Sequence, residues 1–337
     1  MLGAKDNRFD SWFTRINEFT IGWLGQKRVL RDRVAGSMHV LMFWGFLMLA
    51  SDMLDLATAN AFSDHVLPGL LNGPWNGMVE LGYTMALIGC VAALIRRVVF
   101  TPEKLKGKSQ LEGNAILFLI FSITVTSFVV ESFHSPSSTW EPIGYWVYGM
   151  GIADGTVVAA YWIHMLSICV FFVLIPLSKH MHLVMAVPNV FFHDVDPPGK
   201  MRPLAVGDDG KAVPLEDLDI DSFGVSTYTQ YTWRQLIDGW SCTSCARCQD
   251  VCPAHASGKG LNPMEVIHDV RNYANEHAPL LLAGEQPEET MMHRITEEAV
   301  WACTTCNACV DVCPLYIEHV PKLTDLRRNA MMETMEY

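Results

Sequence analysis

Several things are scarce or missing in this 337-residue chain, and each absence narrows the reading. After residue 200 there is no cluster of Lys and Arg with interleaved aromatics, so no nucleic-acid-binding face is expected. No phosphate-cradling glycine fingerprint occurs either: the sequence at 258–261, GKGL, has neither the repeated glycines nor the preceding strand that such a loop needs. The first residues lack a short apolar core ending in a small-residue cleavage site, so no cleaved signal peptide is expected. Charge is scarce before residue 193, and the net charge of −12 says little because the signs are sorted by region. Of ten cysteines, eight lie in two identical arrays whose spacings are too tight for a disulfide framework and suit metal ligation in a reducing compartment. The other two, Cys90 and Cys169, fall in apolar runs and read as small buried hydrophobes.

What is present divides into halves. Half of the residues are hydrophobic, and they concentrate before residue 193 in four runs at about 38–59, 76–100, 113–134 and 156–178. Each is long enough to cross a bilayer, which takes about 20 residues. The flanking charges sort cleanly. Lys5, Arg8, Arg15, Lys27, Arg28, Arg31 and Arg33 precede the first run, and Arg96, Arg97, Lys104, Lys106 and Lys108 lie near the second loop. Residues 60–75 and 135–155 hold no Lys or Arg. The positive-inside rule then puts both termini on the cytoplasmic side of the inner membrane. Residues 9–30 mix aromatics with basic residues and read as an amphipathic segment in the cytoplasmic interface. Residues 143–152, with Tyr145, Trp146 and Tyr148, read as an aromatic element at the opposite interface.

Ionisable residues within spans are costly and so are functional candidates. The topology sorts the histidines into an inner set, His39, His180 and His182, and an outer pair, His134 and His164. Two layers of paired histidines in a four-helix bundle are what two stacked haems b need, and a haem held by His on both faces moves electrons without activating oxygen. If the fourth helix runs unbroken, His182 shares a face with His164 and His180 is about 160° away, which favours His182 as ligand unless Pro176 disturbs the phase. Asp52, Glu80 and Glu131 lie within or at the ends of spans. They read either as a proton relay to a quinone or as helix caps at the aqueous boundary.

A polar linker at 193–224 leads to the arrays, Cys242-x₂-Cys245-x₂-Cys248-x₃-Cys252-Pro253 and Cys303-x₂-Cys306-x₂-Cys309-x₃-Cys313-Pro314. This is the bacterial ferredoxin run, in which three cysteines hold one [4Fe–4S] cluster and the fourth reaches the other. One cluster is expected on Cys242, Cys245, Cys248 and Cys313, and the other on Cys303, Cys306, Cys309 and Cys252. Zinc is the alternative, but it rarely needs eight thiolates in this repeated form. Between the arrays, Asn262-Pro263-Met264-Glu265 has the form of a helix start. The wide separation of the arrays favours an all-α two-cluster domain. The expected organisation is thus all-α: an interfacial segment at 1–36, a transmembrane four-helix haem b bundle at 37–192, the linker at 193–224, and a cytoplasmic ferredoxin-like domain at 225–337.

The block YWIHMLSICVFFVLIPLSKHMHLVMAVPNVFF, the stretch LGQKRVLRDRVAGSMHVLMFWGF and the paired arrays together resemble membrane proteins that join a nitrate-reductase-gamma-like haem b domain to a heterodisulfide-reductase-like iron–sulfur domain. Within that group they resemble the membrane oxidoreductases that pass electrons from electron-transfer flavoprotein to menaquinone. The resemblance covers nearly the whole chain and departs in one respect: such proteins usually continue into a domain with two CCG-type repeats, and no Cys-Cys-Gly occurs here. It implies a respiratory electron-transfer subunit working between a cytoplasmic partner, carrying CCG repeats, flavin or both, and quinone or menaquinone. The reverse flow, from quinol to a cytoplasmic heterodisulfide or sulfur-compound reductase, and a purely structural membrane anchor are the other readings. A partner is expected to dock near residues 322–335, with Met331, Met332 and Met335.

Overall fold

The computed structural model describes residues 3–62, 72–100, 108–132, 136–197, 199–201, 203–204, 213–217 and 223–334. Among these the chain is helical, with no strand and one isolated parallel bridge between Ala4 and Thr232. The α-helices are α1 (Trp12–Phe19), α2 (Arg33–Phe62), α3 (Asn72–Val98), α4 (Lys108–Glu131), α5 (Pro142–Gly149), α6 (Asp154–Leu177), α7 (His182–Phe191), α8 (Trp233–Ser241), α9 (Arg247–Asp250), α10 (Pro253–Ala256), α11 (Pro263–Glu276), α12 (Ala278–Ala283), α13 (Met291–Ile295), α14 (Glu297–Ala302), α15 (Ala308–Val312) and α16 (His319–Asn329). They form two compact units, Val29–Ser178 and Met1–Arg28 with Lys179–Tyr337. The first 28 residues therefore pack with the C-terminal region, a grouping that sequence order does not suggest.

In the unit Val29–Ser178, α2, α3, α4 and α6 are long and apolar enough to cross a membrane. A helix satisfies its own backbone, which is what a chain without water around it requires. The outer surfaces are apolar: Phe118, Trp162, Leu166, Val173 and Leu177 are all exposed. Inside, small and weakly polar residues join the helices, as in membrane bundles where lipid competes equally for apolar contact. Helices α2 and α3 approach so closely that a Cβ on Gly45 would lie 2.7 Å from the Gly82 carbonyl oxygen. The Cys90 thiol reaches the Leu117 carbonyl at 3.0 Å, linking α3 to α4, and the hydroxyls of Ser122 and Ser167 meet at 3.0 Å between α4 and α6. The short aromatic helix α5 overlaps the segment 143–152 read as an interface element.

The fourth long helix does not run through to His182. It ends at Leu177, Ser178 is extended (φ −130°, ψ 175°), and a 3₁₀ turn at Lys179–Met181 precedes α7. The helical phase that was to relate His164 to His182 is therefore broken, just beyond Pro176, and carries no weight in choosing between His180 and His182.

In the other unit the core is formed by Tyr228, Tyr231, Tyr273, Val266, Val270, Leu323 and Leu326. Asn262 caps α11 through a bond from the Met264 amide to its Oδ1 at 3.0 Å, with Pro263 in the first turn, as its sequence indicated. Helix α1 is shorter than the amphipathic segment read at 9–30, and a π-turn at Thr20–Leu24 follows it. Its polarity is inverted. Arg15 is buried and donates to the carbonyls of Phe191 (3.3 Å) and His193 (2.8 Å), whereas Trp12, Phe13 and Ile16 are exposed, Phe13 at 93%.

Candidate functional site

Each cysteine array wraps around a cavity by the same local device. The second residue after the first cysteine, Ser244 or Thr305, has positive φ (56° and 53°), and so does the fourth, Ala246 or Asn307 (62° and 59°). These left-handed residues curl the chain so that three cysteines face one centre, and they turn amides inward; the Thr305 amide donates to Cys303 Sγ at 3.4 Å. Two short helices, α9 and α15, then carry the third cysteines, Cys248 and Cys309.

The fourth cysteine of each array belongs to the opposite cavity. Cys242, Cys245, Cys248 and Cys313 line one cavity, and Cys252, Cys303, Cys306 and Cys309 line the other. His319 borders both. Among the described residues no three Cys, His, Asp or Glu side chains form a group able to hold a single metal ion. Eight cysteines in two sets of four match the ligand count of two [4Fe–4S] clusters.

Burial dominates the thiol acidities. It pushes Cys242 up to about 11 and Cys309 up to about 12, and Cys248 and Cys313 higher still, where neighbouring cysteines add to the effect. Burial also raises Cys303, against the opposing charge of Arg327. Thiolates packed this way need cations among them, which is the chemistry of a cluster site. The cavities differ in exposure: Cys306 is exposed and Cys303 half-buried, whereas Cys242, Cys248 and Cys313 are all buried.

A buried ionic network holds the arrays in place. On α8, Arg234 Nη1 donates to Asp238 at 2.7 Å and to Asn189 Oδ1 at 2.8 Å, while its Nη2 donates to the Tyr316 carbonyl at 3.1 Å, three residues beyond Cys313. Lys322 also pairs with Asp238, and all three of Arg234, Asp238 and Lys322 are fully buried. Arg8 joins from the N-terminus through Glu318 at 3.0 Å. Two further arginines grip the array backbones. Arg28 donates to the carbonyls of Val310 (2.9 Å) and Cys313 (3.2 Å) and stacks over Tyr316, while Arg327 donates to Val300 and Cys303 and lies over the Trp301 ring. Sequence reading missed these residues. The available signal was the pair Arg234 and Asp238, one turn apart on a helix that also carries Trp233, Leu236 and Ile237.

The histidines and carboxylates divide. His164, on α6, places Nδ1 3.0 Å from Thr126 Oγ1 and 3.2 Å from the Ile123 carbonyl, both on α4. His182 Nδ1 faces the Lys179 carbonyl at 2.9 Å, and its ring lies 5.5 Å from that of His180. A carbonyl only accepts, so in both rings the proton sits on Nδ1 and Nε2 is the nitrogen able to bind a metal, the arrangement usual for ligating histidine. His39 lies on α2, its ring 6.4 Å from that of Phe43. His134 and the side chain of Asp52 lie outside the described residues, as does Met335; Met331 and Met332 are exposed. Glu131 ends α4. Glu80 is buried and accepts from the amides of Ile143 (2.9 Å) and Gly144 (2.8 Å), capping the N-terminus of α5.

Residues 234–314 match the family model of the 4Fe-4S dicluster domain. Over 97% of its length the chain is 29% identical to the EtfAB:quinone oxidoreductase of Syntrophomonas wolfei, covering 50% of that protein. It is 29% identical over 98% of its length to the probable iron-sulfur-binding oxidoreductase FadF of Bacillus subtilis, covering 52%. A stretch of 28% of the chain is 36% identical to one component of the dihydromethanophenazine:CoB–CoM heterodisulfide reductase of Methanosarcina acetivorans, covering 24% of it. The chain thus spans about half the length of the two oxidoreductases it matches end to end. No solved structure matches it. Its relatives are iron–sulfur oxidoreductases, and its own four apolar helices fit association with a membrane.

Proposed function

We propose that this chain is the membrane electron-transfer part of a quinone-linked oxidoreductase, exchanging electrons between a cytoplasmic flavin- or CCG-bearing partner and quinone or menaquinone. The observation that carries the proposal is the gathering of eight cysteines into two four-thiol cavities, on a chain with four membrane-length helices. Two [4Fe–4S] clusters and two haems b would supply one-electron relay and nothing else, since bis-histidine haem has no open position. Cys242, Cys245, Cys248 and Cys313 hold one cluster, and Cys303, Cys306, Cys309 and Cys252 the other. His134 and His164 hold the outer haem, and His39 with His182 or His180 the inner one.

The remaining residues position these ligands. Arg28, Arg234 and Arg327 fix the array backbones, and Thr126 and the Ile123 carbonyl orient His164. The exposed Trp12, Phe13 and Ile16 rest the unit on the cytoplasmic membrane surface, which accounts for a helix with its arginine inside and its aromatics outside. Exposed Cys306 marks the cluster that meets the soluble partner, with Met331 and Met332 offering apolar contact. The resemblance to a heterodisulfide reductase component keeps the reverse direction as the second reading.

Purification of the native complex by a tag on this chain, followed by iron, sulfide and haem analysis and redox titration, tests the proposal. About eight iron atoms per chain and two low-spin haem signals are expected, with a flavin or CCG partner in the preparation. Zinc in place of iron, or no haem, would overturn it.

A further inference from the structure

The two cavities are near copies of each other. Each array is followed by a helix that carries an Asp-Xaa-Arg sequence: Asp269-Val270-Arg271 on α11 and Asp325-Leu326-Arg327 on α16. The copies diverge at the residue just before the aspartate. On α11 it is His268, whose Nε2 lies 3.7 Å from Cys242 Sγ and 2.9 Å from Ser244 Oγ. On α16 it is Thr324, whose hydroxyl turns back to the Val320 carbonyl of its own helix at 3.0 Å. The serine differs too: Thr305, at the place of Ser244, bonds the neighbouring Thr304 carbonyl at 2.8 Å.

We infer that His268 is a positioning residue that donates Nε2–H toward the Cys242 sulfur, shared with Ser244, and raises the reduction potential of the cluster on Cys242, Cys245, Cys248 and Cys313 alone. A cluster-bound thiolate accepts and cannot donate, so the bond to Cys242 takes the tautomer with its proton on Nε2, with the Ser244 hydroxyl as the second acceptor. Hydrogen bonds to cluster sulfurs stabilise the reduced, more negative form, and they are one of the main ways a protein sets such potentials. The effect is needed on this side. This cavity is the more buried of the two, and burial of a cluster that gains negative charge on reduction lowers its potential. His268 offsets that penalty; at the matching place the second cavity, with Cys306 exposed, has Thr324 turned to its own helix, and His319 borders both cavities and so does not distinguish them.

The inference rests on the two-cluster reading, and one experiment separates them. Full-length protein, purified with its partner, is titrated potentiometrically with EPR detection, alongside His268→Leu, His268→Gln and Thr324→Val. In His268→Leu one cluster couple should move to more negative potential, its equilibrium shifting about tenfold against reduction, or about 59 mV for a one-electron couple. The other couple should stay in place. His268→Gln, which keeps a donor, should restore most of the shift, and Thr324→Val should move neither couple. In the unaltered protein carrying ¹⁵N-labelled histidine, pulsed EPR should show a histidine-nitrogen coupling to the reduced cluster on Cys242, Cys245, Cys248 and Cys313, distinct from the amide couplings expected on both clusters, a reading that survives if His268→Leu fails to fold. Two clusters present with neither couple moved, both moved equally, or no histidine-nitrogen coupling would overturn the inference while sparing the reading. Absence of cubane signals altogether would overturn both.

Discussion

Arg234 and Asp238 stand one turn apart on α8, joined at 2.7 Å, with neither side chain exposed to any extent. Lys322 completes a buried triad on Asp238, so one carboxylate answers two cations. Removing a partner from such a group leaves a charge stranded in the interior, at a cost of about 3–5 kcal/mol. Asp238→Ala should therefore lower the thermal midpoint of the cluster-bearing unit sharply, followed by circular dichroism or by bleaching of cluster absorbance. The acid limb has a defined sign. Burial alone would push the Asp238 carboxyl up, but Arg234 and Lys322 overcome this and hold it well below the usual carboxylate range. A depressed folded value gives stability that is full above about pH 4 and is lost as pH falls below it. Asp238→Asn should flatten that acid loss. An unchanged acid limb would mean that other carboxylates set it.

Crossing of the fourth cysteines makes a sharper test of the site. Cys252 lies in the first array but lines the cavity of Cys303, Cys306 and Cys309, and Cys313 lines that of the first array. Cys252→Ser should disturb the EPR signal of the cluster held by the second array, and Cys313→Ser that of the first. Confinement of each loss to the cluster of its own array would contradict the crossing.

These two cases show what the sequence made legible. The arrays announced themselves because eight cysteines recur at one tight spacing, and the four long apolar helices because their runs are uninterrupted. The inward polar contacts were not legible. Arg28 and Arg8 lie hundreds of residues from Cys313 and Glu318, and no periodicity links them. Arg15 reads as a basic residue on an interfacial helix, yet its guanidinium is buried on backbone carbonyls. The break at Ser178 was legible only as an alternative: the apolar run ends there, but Pro176 alone leaves open a kink, a stop or neither.

Glu80 offers a decision between two roles. It accepts from two successive amides at the start of α5, and such N-terminal caps contribute about 0.5–2 kcal/mol. As a cap, Glu80→Ala should lower the thermal midpoint of the detergent-solubilised protein, read from haem absorbance, with quinone reduction per folded molecule unchanged. A variant of normal stability that no longer reduces quinone would instead make Glu80 a proton relay.

The haem assignment depends most on His164, because its Nδ1 is already held by Thr126 and the Ile123 carbonyl. His164→Ala should abolish one low-spin haem signal and leave the other, and His182→Ala should do the same for the second. Thr126→Val removes only the hydroxyl, so the ring keeps the carbonyl and the haem should remain bound. As a haem ligand, His164 would become less basic when the bond to its Nδ1 weakens, which would shift the haem potential upward rather than empty the site. Measured side by side, the three variants separate ligand from support: loss, loss and shift. Retention of both haems in His164→Ala would show that the outer site is built from other residues, and an inner haem lost in His180→Ala but kept in His182→Ala would move that ligand by two positions.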